Sequence, residues 1–173
     1  MKIRRIGAVL LALAMLLPTV ALAKTIVVDA ADYEISKDGW YDGMEEVAIY
    51  LTFFDKLPGN YITKREAQNL GWDNRKGNLW SVAEGCSIGG DRFGNYEGIL
   101  PDQKGRKWTE CDIDFDGGYR NGKRVVFSND GLIYYTGDHY QTFDEVEVIR
   151  TDKDDRFLSG EELKDFVNWL YGE

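Results

Sequence analysis

The stretch that decides the fold runs from Arg106 to Phe143 and reads RKWTECDIDFDGGYRNGKRVVFSNDGLIYYTGDHYQTF. Short runs of β-branched and aromatic residues alternate in it with turns of Gly, Asn and Asp, a pattern typical of an antiparallel meander. We predict strands near residues 106–113, 123–128, 132–136 and 142–148, and one more near 86–92 before the stretch. The stretch also holds the only histidine of the chain.

Helical patterns precede this meander. Residues 42–56 carry apolar side chains along one face of a 3.6-residue period, with Asp42 as the expected N-cap. Thr63 and Glu66 form a capping-box pattern that predicts a short helix from Thr63, and Asn78 is expected to cap another helical turn. Helices followed by a meander indicate an α+β fold.

An extra helix is predicted at the C-terminal end, from Gly160 to Tyr171. Ser159 with Glu162 forms a second capping-box pattern. A helical apolar stripe should pack this helix on the domain; it consists of Leu163, Phe166, Val167 and Leu170. The predicted organisation is an N-terminal arm over residues 24–41, one domain over 42–149, and an acidic linker with the C-terminal helix over 150–173.

The first 23 residues have the pattern of a secretory signal peptide. A basic n-region at residues 2–5 precedes an apolar run over residues 6–17, and small residues favour cleavage after Ala23. An uncleaved anchor is the alternative, although the run is short for a membrane span. We expect a secreted, extracellular protein that has no membrane attachment after cleavage. Loss of three basic and no acidic residues would move its formal net charge from −9 to −12.

Cys86 and Cys111 are the only cysteines. In an oxidising compartment an even pair usually forms a bridge. Both lie on strands predicted to be adjacent and antiparallel, so we expect a Cys86–Cys111 disulfide that closes a loop of about 25 residues and contributes roughly 3 kcal/mol. Two unpaired thiols are the alternative.

The decisive stretch and several upstream segments resemble the small secreted microbial ribonucleases of the barnase-like family. The resemblance covers roughly residues 42–143, with the segments in the family's order and close to its spacing. It implies N-terminal helices packed on a twisted antiparallel sheet. The upstream segments are LPGNYITK (57–64), EAQNLGW (66–72), KGNL (76–79), SIGGD (87–91), FGNYEG (93–98) and LP (100–101).

Metal-free cleavage of RNA needs a base, an acid and fixed positive charge. The base removes the proton of the 2′-hydroxyl, which attacks the adjacent phosphorus, and the acid protonates the departing 5′-oxygen. The resemblance implies that Glu110 is the base and His139 the acid. It implies that Lys64, Arg120 and Arg124 stabilise charge in the transition state, a task that suits a guanidinium.

Base recognition in this family uses a loop, and the resemblance places it at Phe93, Gly94, Asn95, Tyr96 and Glu97. Glu97 holds the position of the glutamate that accepts hydrogen bonds from guanine. Tyr96 departs from the pattern, because better-known relatives carry an arginine there that helps to bind guanine and phosphate. This chain therefore lacks the contribution of that arginine to guanine preference, and Tyr96 offers a ring for base stacking instead. Tyr140 is expected to contact the phosphate or to pack beside His139.

The acidic composition argues against a strongly basic binding surface, since phosphates favour Lys and Arg. Residues 60–143 nevertheless hold 11 Lys/Arg and 12 Asp/Glu, so the acidic excess lies in the flanks. We expect weaker electrostatic steering than in a basic ribonuclease.

Two short patterns resemble calcium loops. Asp112-x-Asp114-x-Asp116-Gly117 begins like an EF-hand, but Lys123 occupies the twelfth position, where a bidentate glutamate is required. In the second pattern Glu162 would be the twelfth position of the calcium loop. Arg156 then occupies the sixth position, where the loop requires glycine. We therefore predict no metal site and no cofactor.

These features predict a secreted, monomeric, guanyl-preferring endoribonuclease that acts on single-stranded RNA. The alternative is a noncatalytic exported module that binds RNA or a protein partner through the same cleft. A barstar-type intracellular inhibitor is an expected partner, since a misplaced ribonuclease would harm the cell that makes it.

Overall fold

The structure is a computed structural model that describes residues 24–152 and 157–172. The predicted signal peptide and residues 153–156 of the predicted acidic linker lie outside the described residues. No helix in the described ranges is long and apolar enough to cross a membrane. The chain forms, in order, β1 (Thr25–Asp29), α1 (Met44–Phe54), β2 (Tyr61–Ile62), α2 (Lys64–Asn69), α3 (Leu79–Val82), β3 (Ser87–Phe93), β4 (Trp108–Asp112), β5 (Arg124–Ser128), β6 (Ile133–Thr136), β7 (Asp144–Thr151), β8 (Phe157–Leu158) and α4 (Gly160–Tyr171).

The strands form one sheet in the order β1-β7-β6-β5-β4-β3-β2, and β8 pairs with β7. The expected α+β class is confirmed, and strands β3 to β7 form the predicted antiparallel meander. The expectation of a wholly antiparallel sheet is wrong, because β1 runs parallel to β7 and β2 runs parallel to β3. Neither edge strand reaches its partner through a hairpin, so no tight turn forces an antiparallel pairing.

The two faces of the meander have different roles. Side chains alternate between faces along each strand, so Cys111 and Val125 join α1 in the main core, while Glu110 and Arg124 point to the opposite face. Val47, Ala48 and other residues of α1 are fully buried in that core. The apolar core on one face of the sheet therefore holds in place the strands that carry the polar side chains on the other face.

The N-terminal arm takes part in this core. Val28 and Ala30 are buried with residues of β7 and α4. Asp29 accepts hydrogen bonds from the backbone N–H and the hydroxyl of Thr151. The Tyr171 hydroxyl of α4 donates to the Ile35 carbonyl at 2.8 Å. The two ends of the chain thus contact each other on the side of the sheet away from the polar face.

The predicted cap of α1 is wrong, because Gly43 and not Asp42 is its N-cap. Asn78 and Ser159 hold the predicted N-cap positions of α3 and α4, but neither side chain makes a capping hydrogen bond, so the second capping box is wrong. The capping box of Thr63 and Glu66 is confirmed, with both reciprocal hydrogen bonds present. The apolar stripe of α4 is confirmed in part, since Leu163 and Val167 are buried and Phe166 packs against the core, whereas Leu170 is exposed.

The predicted Cys86–Cys111 disulfide is wrong, because both cysteines are free thiols. Cys111 lies opposite Gly89 in the β3–β4 pairing, and Cys86, which directly precedes β3, is three residues from Gly89 along the chain. Three extended residues span about 10 Å, and a disulfide needs Cα atoms within about 7 Å of each other. Burial raises the pKa of the Cys111 thiol, which makes this cysteine an inert core side chain.

The C-terminal end of α1 offers a test of local stability. Asp55 follows the helix in the left-handed conformation, with a φ of 50°. Asn tolerates this conformation, and a carboxylate at a helix C-terminus opposes the helix dipole. We expect Asp55→Asn to raise the free energy of unfolding by about 0.3–1 kcal/mol, measured by urea denaturation. Asp55→Ala is the control, since it removes the charge but suits the left-handed conformation poorly. An Asn variant that gains nothing would contradict this account.

Candidate active site

Glu110 lies on β4 and is only 8% exposed. Both of its carboxylate oxygens accept hydrogen bonds. The Lys64 ammonium donates to Oε1 at 2.6 Å, and the Tyr140 hydroxyl donates to Oε2 at 2.7 Å. Burial, together with the hydrogen bond to this carboxylate, raises the pKa of Tyr140, so the phenol remains a donor. The candidate base is therefore oriented by donors from two separate elements.

Lys64 is the first residue of α2, directly after the Thr63 cap. A cation at this end of a helix opposes the dipole, but two carboxylates compensate. The Asp91 carboxylate accepts from the Lys64 backbone N–H at 2.9 Å, and Glu110 neutralises its ammonium. The Lys64 side chain is 38% exposed, so it faces both the candidate base and solvent.

Arg120 and Arg124 converge on Asp112, which follows Glu110 on the same face of β4. Arg120 donates two hydrogen bonds to the two carboxylate oxygens, each at 2.6 Å. Arg124 Nε lies 2.9 Å from Asp112 Oδ1 and forms an ion pair without hydrogen-bond geometry. Burial lowers the pKa of Arg120, but the hydrogen bonds and the charge of Asp112 outweigh it, and the pKa rises. Both guanidinium groups therefore supply fixed positive charge.

Asp112 is absent from the predicted site, although the structure makes it the anchor of both arginines. Strand alternation could have indicated Asp112 from the sequence, because residues two apart on a strand share a face. Glu110 and Asp112 must both face the candidate site if either does. Arg124 lies directly opposite Asp112 in the β4–β5 pairing, and both are almost completely buried. Each of these two buried charges requires the other, because a buried charge without a counter-charge is strongly destabilising.

His139 lies exposed in the loop between β6 and β7. Its backbone and that of Tyr140 are both left-handed, with φ of 58° and 71°. Such backbones cost strain and persist only where the surroundings hold them. The His139 backbone N–H donates to the Gly122 carbonyl at 3.0 Å. The centroid of the His139 ring is 4.9 Å from that of the Tyr140 ring.

The Asp138 carboxylate holds this loop together. Oδ1 accepts from the Thr136 hydroxyl at 2.9 Å and from the Gln141 and Thr142 N–H groups at 3.0 Å each. Oδ2 accepts from the Thr142 hydroxyl at 2.7 Å. The backbone and side-chain hydrogen bonds of Thr142 lower the pKa of Asp138 to about 2. Asp138 is a positioning residue for His139.

The predicted recognition loop lines a cleft of about 360 Å³ beside the catalytic face. Phe93 stacks on Tyr140 with centroids 5.5 Å apart. The Asn95 side chain bonds both backbone polar groups of Leu100 and thereby closes the loop. Tyr96 is 92% exposed, and its ring lies back over Gly94. The cleft is lined by Phe93, Gly94, Asn95, Tyr96, Glu97, Ile99, His139, Tyr140 and Phe143.

The structure thus brings every predicted catalytic and substrate-binding residue to one continuous site. Tyr140 joins the two halves, since it contacts Glu110 on the catalytic side and lines the base cleft on the other. The cysteine pair is the one predicted pair that does not come together. Among residues 24–152 and 157–172, no group of three or more His, Cys, Asp or Glu side chains is arranged to hold a metal ion. The second calcium-like pattern includes residues 153–156, which lie outside those ranges.

A family model described as ribonuclease matches residues 46–147, which is more than half of the chain. The chain belongs to the ribonuclease family. It is similar to a ribonuclease of Heyndrickxia coagulans, at 55% identity over 103 residues that cover 60% of this chain and 92% of the relative. Ribonucleases of Bacillus intermedius and Bacillus pumilus are each 54% identical over 106 residues, which cover 61% of this chain and 64% of each relative.

A solved structure of ribonuclease Sa2 with guanosine-2′-cyclophosphate is also similar, at 34% identity. It covers 32% of this chain and 60% of the solved chain, with a TM-score of 0.29. The family match of this ribonuclease includes all of the catalytic residues predicted from the resemblance. The strand β1 and the helix α4 lie outside it.

Asp138 gives a prediction for acid stability of the ribonuclease. A carboxylate whose pKa is depressed in the folded state stabilises it above the unfolded pKa, and this contribution disappears as pH falls through the folded pKa. The ordinary value is 3.8 and the folded value about 2. We expect the parent to exceed Asp138→Asn in unfolding free energy by a constant amount above about pH 5. This difference should shrink between about pH 4 and pH 2, measured by urea denaturation at each pH. A difference that is independent of pH would contradict the assigned role.

Proposed function

We propose that this ribonuclease is secreted and cleaves single-stranded RNA after guanosine, by transesterification to a 2′,3′-cyclic phosphate. The observation that carries the proposal is the Glu110 carboxylate between Lys64 and Tyr140, on the same strand face as Asp112, which binds both Arg120 and Arg124. A carboxylate base beside fixed cations suits deprotonation of a 2′-hydroxyl next to a phosphate.

Each residue has a chemical role in this reaction. Glu110 takes the proton of the 2′-hydroxyl, and the oxygen attacks phosphorus to form the cyclic ester. The bond to the 5′-oxygen breaks, and His139 gives that oxygen its proton as the general acid. Lys64, Arg120 and Arg124 stabilise the additional negative charge of the phosphorane. Water then opens the cyclic ester with the two proton-transfer roles reversed.

Guanosine preference is assigned to the loop from Phe93 to Glu97. Backbone amides of the loop would donate to guanine O6, and the Glu97 carboxylate would accept from N1 and N2. The exposed Tyr96 ring adds a surface for stacking on a base. This preference is expected to be weaker than it would be with an arginine at position 96, because a guanidinium also attracts phosphate.

The test is cleavage of the dinucleotides GpN, ApN, CpN and UpN by residues 24–173 in EDTA, with products separated by chromatography. The expected result is a cyclic phosphate formed fastest from GpN. Equal rates on all four would keep the chemistry and overturn the guanine assignment. No cleavage would overturn the proposed mechanism. Secretion is tested separately, by the N-terminal sequence of protein recovered from culture medium, which should begin at Lys24.

A further inference from the structure

A second hollow of about 230 Å³ lies on the other side of the recognition loop. It shares Phe93, Gly94 and Asn95 with the base cleft, but neither His139 nor Tyr140 lines it. Its remaining lining is mostly charged and comes from Arg92, Asp102, Arg106, Lys107 and Trp108. The loop therefore separates two concave surfaces, one for the reacting nucleotide and one of different chemistry.

Arg92 and Lys107 are neighbouring cations in this hollow. Arg92 lies opposite Thr109 in the β3–β4 pairing, and Lys107 is two residues from Thr109, so both side chains leave the face of Cys111, at the end of the strands and opposite the face that carries Glu110. Diagonal neighbours of this kind are about 7–8 Å apart. Neither side chain has a hydrogen-bond or ion-pair partner among residues 24–152 and 157–172. Two neighbouring cations of this kind raise the local positive potential and attract an anion.

Several other cations near the loop already have carboxylate partners. Arg106 donates to Asp130 at 2.7 Å, and Lys64 pairs with Glu110. Both catalytic arginines share Asp112. The loop over residues 93–99 carries no Lys or Arg. One carboxylate, that of Asp102, lines the hollow against the two unpaired cations, which leaves an excess of positive charge.

The position of the hollow indicates which phosphate it would bind. In the proposed reaction the cleaved phosphate lies 3′ to the recognised nucleotide, between Glu110 and His139. The hollow lies across the loop from these residues. The chain continues from the bound nucleotide in two directions, and only the 5′ direction leads away from the cleaved phosphate. Paired exposed cations at a groove are suited to the phosphodiester backbone of a single strand.

We propose that Arg92 and Lys107 form a phosphate-binding subsite for the RNA chain on the 5′ side of the cleaved nucleotide, an inference that rests on the proposed function. The subsite raises the affinity for long RNA relative to a dinucleotide. It adds no sequence preference, because a phosphate carries none.

The test compares kcat/KM for the dinucleotide GpN with that for an oligonucleotide carrying five additional 5′ nucleotides. Arg92→Ala and Lys107→Ala should each lower the ratio of long to short substrate about three- to tenfold, the effect of one lost charge-assisted phosphate contact. Arg92→Lys should restore most of the ratio, since it retains the charge. Each alanine variant should also reduce the slope of log affinity against log salt by about 0.7 for a single strand.

Lys104→Ala is the matched control, because Lys104 is an exposed lysine of the same segment that does not line the hollow. Thermal unfolding of each variant verifies folding. An unchanged ratio in Arg92→Ala and Lys107→Ala, or an equal loss in Lys104→Ala, overturns the subsite. An equal loss with 3′-extended substrates overturns its assignment to the 5′ side.

Binding of a 2′-deoxy oligonucleotide, which cannot form the cyclic ester, separates this proposal from the proposed function. Weaker binding by Arg92→Ala supports the subsite even if the parent cleaves no RNA. Unaltered binding in both alanine variants, with normal cleavage by the parent, overturns the subsite and leaves the proposed function intact.

Discussion

Replacing Glu110 by glutamine is expected to lower kcat/KM for GpN by about 10²- to 10⁴-fold, the usual contribution of a general base. Glutamine keeps the size of the side chain and can still accept one hydrogen bond, from Lys64 or Tyr140, but it cannot take a proton from the 2′-hydroxyl. The variant should also lose the acidic limb of the pH profile of kcat/KM, since that limb reports the base of the free enzyme. The measurement is initial-rate kinetics on GpN between pH 4 and pH 9.

Glu147→Gln is the matched control for this substitution, because Glu147 is an exposed strand carboxylate on β7. It should leave both the rate and the profile unchanged. If Glu110→Gln retained a rate within tenfold of the parent and the same acidic limb, another group would have to be the base. His139→Ala provides the complementary observation, since it should remove the basic limb and leave the acidic one.

Replacing Asp112 by alanine is expected to lower the free energy of unfolding by about 3–5 kcal/mol, because it leaves buried guanidinium groups without a counter-charge. Asp112 is 1% exposed and Arg124 is 2% exposed, so water cannot replace the lost carboxylate without reorganisation. The variant should also lose activity beyond its loss of stability, since Arg120 and Arg124 would no longer be held at the catalytic face. Urea unfolding measures the first effect, and kinetics well below the unfolding midpoint measure the second.

Lys123→Ala is the control for a solvent-exposed ion pair on the same segment. Lys123 and Asp114 are 2.7 Å apart, but their side chains are 45% and 47% exposed, so the expected loss is only about 0–1 kcal/mol. The double variant Asp112→Ala with Arg124→Met should recover part of the stability, because it removes one of the unpaired charges. It should recover no activity. Equal losses of unfolding free energy for Asp112→Ala and Lys123→Ala would show that burial does not increase the cost of removing a carboxylate–cation pair.

The features that depend on near neighbours in the chain were predictable. The capping box of Thr63 and Glu66 involves residues three apart, and the stripe of α4 repeats every three to four residues. The alternation of apolar runs and turns also sufficed for the meander from β3 to β7. The family resemblance added the site, because its motifs hold Glu110, His139 and the cations in a known order, and the structure brings these residues to one face.

Features that join distant segments were not predictable in the same way. The β1 strand pairs with β7 across more than a hundred residues, and no turn specifies its direction. The registers of β3 and β4 place Cys111 opposite Gly89, and this alone separates the two cysteines. The cap at Ser159 depends on the backbone that precedes α4, which the pattern of residues does not define.

The same distinction between near neighbours and distant segments applies to the candidate site. Residue types and their order along the chain indicate a base, an acid and cations, since the chemistry of a side chain is independent of the fold. Which carboxylate holds the arginines, which loop positions His139, and where Arg92 and Lys107 remain unpaired all depend on strand register and on packing between segments far apart in the chain. These contacts form only in the folded protein, because each requires two strands to meet at one alignment among several of similar local preference.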